Sequence, residues 1–265
     1  MVSLKKSEKI SVLRGGISEE KEISVLTANQ VYKTLQKKYD TTLIDVDHDC
    51  NKLINNLIRS KPDKVFNCLH GIFGEDGQLQ SILNYLKIPY THSGVLASSI
   101  AMNKVVSKYF YKALGIRIPQ NYDINSKFTN SLYPFIVKPI NGGSSKNLLK
   151  IKNQKQFNDF KSNDTYQLHK YMVEEFVDGR EITVGILEDK ICGIMEIIFD
   201  SEIYDFKNKY QVIAKHVLDP KLPENVKQKL KDISLKIHSA LNCKCISRLD
   251  FRYNTKSKEL FLLEI

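Results

Sequence analysis

Apolar positions along residues 1–100 alternate between two periods. Ile10, Val12 and Leu13 mark a strand over 10–14 that ends at Gly15-Gly16. Ser18 then offers a hydroxyl as helix N-cap, and Glu19, Glu20 and Glu22 load the first turn with the negative charge a helix dipole favours. Ala28, Val31, Tyr32, Leu35 and Tyr39 follow at helical spacing and predict one buried stripe. A second strand is predicted over 41–46, a short helix through Leu53, Ile54, Leu57 and Ile58, and a buried strand over 65–69. A glycine-rich turn leads to a helix carrying Leu79, Ile82, Leu83 and Leu86. Strands alternating with helices imply a parallel sheet with crossover helices, whose ligands sit beyond the carboxyl ends of the strands. That rule puts residues 15–20 and 70–77 on one functional edge.

The pattern changes after a helix over 103–114, which Gly115 stops in the C′ position. Strands are predicted over 135–139, 148–151, 172–176, 181–187 and 191–198 in a hairpin-rich arrangement. Asp178-Gly179 reads as the tight turn of one such hairpin, flanked by Glu174 and Glu181. Val226, Leu230, Ile233, Ile237 and Leu241 line one face of a long helix. A final hairpin pairs 246–253 with 260–264 through a turn at 254–258. The expected division is an α/β lobe over 1–100 followed by two α+β lobes over 101–185 and 186–265.

Composition narrows the class. In 265 residues, 42% are hydrophobic and 26% charged, so the chain folds around its own core without needing disulfides or a structural metal. No stretch reaches the roughly 18 apolar residues of a membrane span. Residues 1–16 lack the apolar stretch of about 7–15 residues that a signal peptide carries, which predicts a cytoplasmic protein. Five scattered cysteines form neither a disulfide framework nor zinc-ligand spacing, and read as reduced thiols. The net charge of +10 comes from lysines spread from end to end, on faces that read as solvated. A nucleic-acid surface needs them clustered.

Three segments carry chemistry. Lys138-Pro139-Ile140-Asn141-Gly142-Gly143-Ser144-Ser145 follows an apolar strand, and its backbone N–H groups and hydroxyls can approach phosphate oxygens. It is not a Walker A loop, because the lysine precedes the glycines. Arg248, Asp250 and Arg252 alternate on one strand and share a face, with Glu264 on the neighbouring strand. Two opposed carboxylates suit a hard cation such as Mg²⁺, and an arginine two residues away can neutralise a transferring phosphoryl group. Glu174 and Glu181 can accept from an adenine amine and from ribose hydroxyls. Each segment alone is also compatible with a surface turn or a salt-bridge ladder.

Taken in order, the motifs resemble the D-alanine–D-alanine ligase family of ATP-grasp enzymes. The likeness rests on Gly15-Gly16-x-Ser18-x-Glu20-x-Glu22-x-Ser24, His70-Gly71-x-x-Gly74-Glu75-Asp76-Gly77, Lys138-Pro139 with Gly143-Ser144-Ser145, and Arg248-x-Asp250 with Glu264. Tyr90-Thr91-x-Ser93-Gly94 and Lys209-Tyr210 fit as well. The resemblance implies a Rossmann-like parallel-sheet lobe followed by the α+β lobes of an ATP-grasp fold. It implies ATP and Mg²⁺ (or Mn²⁺) as cofactors, D-alanine as substrate, a cytoplasmic homodimer, and no nucleic-acid partner or membrane insertion.

It also implies roles. Glu20 would hold the ammonium of the first D-alanine, and Arg248 would stabilise the acyl phosphate and the tetrahedral oxyanion. Ser144 and Tyr210 would orient the second D-alanine. Lys104 and Lys138 would contact ATP phosphates, with Lys209 near the γ-phosphate. Glu174, the backbone of Val177, and Glu181 would hold adenosine, and Asp250 and Glu264 would bind the metal. His70 reads equally as a substrate-lobe residue or a structural histidine. Tyr210 favours an amine acceptor, since family members that use D-lactate lack it. The polar segment 199–214 reads as a lid that excludes water from a hydrolysable intermediate.

The sequence departs from the family pattern at Asn103, which stands for aspartate, and at Asn147, which stands for glycine. Asparagine tolerates the left-handed conformation that such a glycine adopts. The sequence stops at Ile265, where the family continues with an asparagine metal ligand and closing helices, which predicts low activity at this length. The alternatives are another ATP-grasp carboxylate–amine ligase and a non-catalytic ATP-binding remnant.

Overall fold

Three sheets organise the described residues: one parallel sheet of three strands and two antiparallel sheets of four and five strands. The computed structural model describes residues 8–143, 147–199 and 214–265. These divide into two compact units, Met1–Ser99 and Ile100–Ile265.

In the first unit, β1 (Lys9–Gly15) lies between β2 (Asp40–Val46) and β3 (Lys64–Asn67), parallel to both. Alternation along β1 sends Val12 to one face and Leu13 to the other. Val12 joins Ile10, Ala28 and Cys68 beneath α1 (Lys21–Leu35). Leu13 joins Leu53 and Leu57 of α2 (Cys50–Ser60) and Leu79 and Leu83 of α3 (Gln78–Tyr85). Helix α1 starts later than the acidic run suggests. Its N-cap is Glu20, with no side-chain cap. Ser18 does not cap it, because its hydroxyl donates instead to the His70 carbonyl at 2.6 Å.

The second unit opens with α4 (Val95–Met102), whose last residues belong to it, and α5 (Lys104–Ala113). Asn103 caps α5, its side chain accepting from the Val105 and Val106 amides, so the exchange of aspartate for asparagine leaves the cap intact. Strands β4 (Asn121–Tyr122), β5 (Phe135–Pro139), β6 (Leu149–Ile151) and β7 (Tyr171–Glu175) form the first antiparallel sheet. One face of it presents Phe135, Val137 and Val173 to Phe157 and Phe160 of α6 (Gln154–Ser162). The second sheet contains β8 (Arg180–Leu187), β9 (Lys190–Ile198), β10 (Lys215–Leu218), β11 (Ile246–Asn254) and β12 (Glu259–Glu264). Helix α7 (Glu224–Ala240) packs on β8 and β9.

Asp178-Gly179 is therefore not a hairpin turn. Strand β7 pairs with β5 and β4, whereas β8 pairs with β9 and β11, so the dipeptide carries the chain from one sheet to the other. Local turn chemistry is the same in both cases, but partner choice is non-local. Gly179 is required there, since at φ +142° a Cβ would sit 2.2 Å from the Tyr253 carbonyl oxygen. Helices α4 and α6 and strand β10 were not expected from the hydrophobic pattern.

Candidate active site

In the first unit, the loop after β1 meets the loop after β3. Ser18 bridges them, accepting from the Glu20 amide at 3.2 Å while donating to His70. Glu75 accepts from the Gly71 amide at 2.6 Å and stands 3.9 Å from His70 Nδ1, whose other nitrogen faces Thr27 at 3.4 Å. Gly71, at φ +66°, lets the Glu20 carboxylate lie where a side chain would crowd it: a Cβ would approach Glu20 Oε2 to 3.2 Å. Glu20, Ser18, His70 and Glu75 thus gather at the carboxyl ends of parallel strands, where ligands of such sheets bind.

In the second unit several charged groups are interior. On β5 and β7, Lys138 and Glu174 point away from the aromatic core, and the Lys138 ammonium lies 2.6 Å from Glu174 Oε1. Glu174 Oε2 accepts from the Lys108 ammonium of α5. Burial pushes the Glu174 carboxyl up, but the ammonium groups of Lys138 and Lys108 outweigh it and hold the group below its ordinary value. Lys104, one turn before Lys108, donates to the Gly142 carbonyl at 2.5 Å and stands 3.5 Å from Glu264 Oε2. Burial lowers its pKa, opposed by Glu264.

On the second sheet, Asp250 and Glu264 are register partners across β11 and β12. Arg248 donates Nε and Nη2 to the two oxygens of Asp250, at 3.1 and 2.9 Å. Arg252 pairs with Glu181, its register partner on β8, at 3.0 Å, and donates to the Gly179 carbonyl at 2.9 Å. Val177, in the connection from β7 to β8, is buried. Asn147 adopts φ +57°, the left-handed conformation expected of it. Ser144, Lys209 and Tyr210 lie outside the described residues, as does most of the segment read as a lid.

Two carboxylates at one register position are the donor set Mg²⁺ takes alongside phosphate oxygens. Asp250 and Glu264 therefore fit such an ion. Among the described residues no group of three or more His, Cys, Asp or Glu side chains forms an all-protein metal cage.

Residues 96–265 match the family described as D-ala D-ala ligase C-terminus. The D-alanine--D-alanine ligase of Wolbachia pipientis wMel is 39% identical over 263 residues, 97% of this chain and 82% of the relative. The chain belongs to the D-alanine–D-alanine ligase family. A second relative, from Sinorhizobium medicae (strain WSM419), is 38% identical, covering 98% of this chain and 87% of its own length. The crystal structure of the Bacillus anthracis D-alanine--D-alanine ligase complexed with ATP superposes with a TM-score of 0.79 at 26% identity. That match spans 98% of this chain and 86% of the other. The ATP-grasp fold expected from the motifs is thus borne out.

Sequence reasoning missed Lys108, the buried cation beside Glu174, and, although it placed Arg252 on the face of Arg248 and Asp250, it missed the pairing of Arg252 with Glu181. A signal for Lys108 was present. Positions 104, 107, 108 and 111 form the buried stripe of α5 although they are Lys, Ser, Lys and Tyr, while Val106 and Tyr109 are exposed.

Proposed function

We propose that this protein joins two D-alanines into D-alanyl-D-alanine for peptidoglycan synthesis, activating the first carboxylate with ATP. One observation within the second unit carries the site assignment: a single buried ammonium, Lys104, links the glycine loop at Gly142 to Glu264, and so phosphate-binding backbone to metal-binding carboxylate.

The first D-alanine carboxylate attacks the γ-phosphorus and ADP leaves, giving an acyl phosphate. The amine of the second D-alanine then attacks the acyl carbon, and phosphate departs. Activation is needed because a carboxylate is a poor electrophile with a poor leaving group. In this scheme Lys104 and Lys138 neutralise phosphate oxygens, and Glu174, the Val177 backbone and Glu181 hold adenosine. Asp250 and Glu264 would hold Mg²⁺, which would neutralise phosphate charge. Arg248, oriented by its two bonds to Asp250, stabilises the acyl phosphate and the tetrahedral oxyanion. Glu20 receives the ammonium of the first D-alanine. Ser144 and Tyr210 orient the second and Lys209 serves the γ-phosphate, roles that rest on the family pattern alone. Among the described residues no helix is long and apolar enough to cross a membrane. The same reading sets the reaction in the cytoplasm, in a homodimer.

The test is ADP release from purified protein with ATP and Mg²⁺, comparing D-alanine, L-alanine and D-lactate. D-Alanine alone is expected to support turnover, and chelation of Mg²⁺ to abolish it. Equal rates with L-alanine, or ATP hydrolysis indifferent to any amino acid, sink the reading.

A further inference from the structure

A lysine ammonium inside a protein is costly unless every proton finds an acceptor. Lys108 is 1% exposed. Its ammonium meets Glu174 Oε2, Asn121 Oδ1 at 3.0 Å and the Pro119 carbonyl at 3.5 Å, so three acceptors surround three donors. Two of them, Asn121 and Glu174, are register partners on β4 and β7, which fixes the socket on the sheet rather than on a loop. Lys138 differs. Among the described residues its partner is Glu174, and its strand runs directly into the glycine loop. With both lysines in place, both oxygens of Glu174 are occupied. Each oxygen keeps a second lone pair that an exocyclic amine can use, and of the two ammonium groups the one held by three acceptors is the one that stays in place.

We infer that Lys108 is a positioning residue for the nucleotide base: a fixed counter-ion that keeps Glu174 ionised and aimed while Lys138 exchanges the carboxylate for the bound nucleotide. This rests on the nucleotide-binding reading of Glu174 given above. Lys108 itself touches no ligand. Burial lowers its pKa, and the Glu174 carboxylate opposes that shift.

The experiment compares Lys108→Met with the unaltered protein, in steady-state ADP release and in calorimetric binding of ATP and of inosine triphosphate. The latter carries a carbonyl where ATP carries the amine. The KM for ATP is expected to rise roughly tenfold or more, the loss of one charge-assisted hydrogen bond, with a much smaller change in kcat. The KM for D-alanine should hold within about twofold, and the preference for ATP over inosine triphosphate should shrink. A general packing defect would not move that preference. A folded Lys108→Met with unchanged ATP KM and unchanged preference overturns the inference, as does a fall in kcat alone. If Lys108→Met does not fold, Glu174→Gln is compared with Glu174→Gln/Lys108→Met, which removes both charges together. The second change should then alter ATP affinity by less than about twofold, and a larger additional loss overturns the inference. Should the unaltered protein release no ADP, the ligase reading fails while calorimetry still decides this one. Absence of ATP binding overturns both.

Discussion

The two units handle charge in opposite ways. In the first, Ser18, Glu20, His70 and Glu75 stand on loops at strand ends, over a sheet whose faces are lined by Leu13, Val12, Leu53 and Leu83. In the second, Lys104, Lys108, Lys138, Glu174 and Asp250 are buried among the elements themselves. A parallel sheet covered on both faces leaves polar chemistry only the strand ends. An antiparallel sheet gives one face to the core and frees the other for side chains. The consequence is energetic: the first unit depends on apolar packing, the second also on balancing interior charge.

Five substitutions at four positions and one chemical probe can break or sharpen that contrast. Glu174→Leu strands two buried ammonium groups, and should cost about 3–5 kcal/mol in urea unfolding; a loss below about 1 kcal/mol would mean the interior charges are not interdependent. Leu83→Ala in the first unit should cost about 2–5 kcal/mol by leaving a cavity, with no interior charge involved. Arg248→Ala should lower turnover by about 10²–10³-fold. Arg248→Lys should rescue little, because a point charge cannot reproduce two bonds to Asp250. Asn103→Ala should cost about 1 kcal/mol through the lost α5 cap, measured as a fall in melting temperature.

The smallest effect concerns Cys68, whose thiol burial pushes from 9.0 to about 12. In the unfolded chain it ionises near its ordinary value, in the folded chain only far higher. Its contribution to stability is therefore complete below pH 9 and declines as pH rises from there towards 12. Native alkylation at pH 8 should label the exposed Cys50 and Cys192 and spare Cys68, read by peptide mass mapping. Labelling of Cys68 at the same rate would show that the first unit opens readily.

The sheet strands were legible where apolar runs had clear ends, as at β1, β2, β5, β11 and β12. The Asp250 and Glu264 pairing was legible too, because a short hairpin fixes register locally. What escaped the sequence depends on distant partners. Ser18 reads as a cap until His70, 52 residues away, claims its hydroxyl. The Asp178-Gly179 turn reads as a hairpin until its flanking strands choose different sheets. Lys108 reads as a solvated charge until Glu174, 66 residues on, meets it. Helix α6 was different. Its signal was local, with Asn153 accepting from the Gln156 amide ahead of Phe157 and Phe160, and was overlooked among polar residues.

The seam at Gly179 has a consequence for how the sequence can change over generations. With the Tyr253 oxygen directly against the α-carbon, there is room for a hydrogen atom and nothing larger. Drift at that codon is closed, while the neighbouring Asp178, facing solvent, is left open to it.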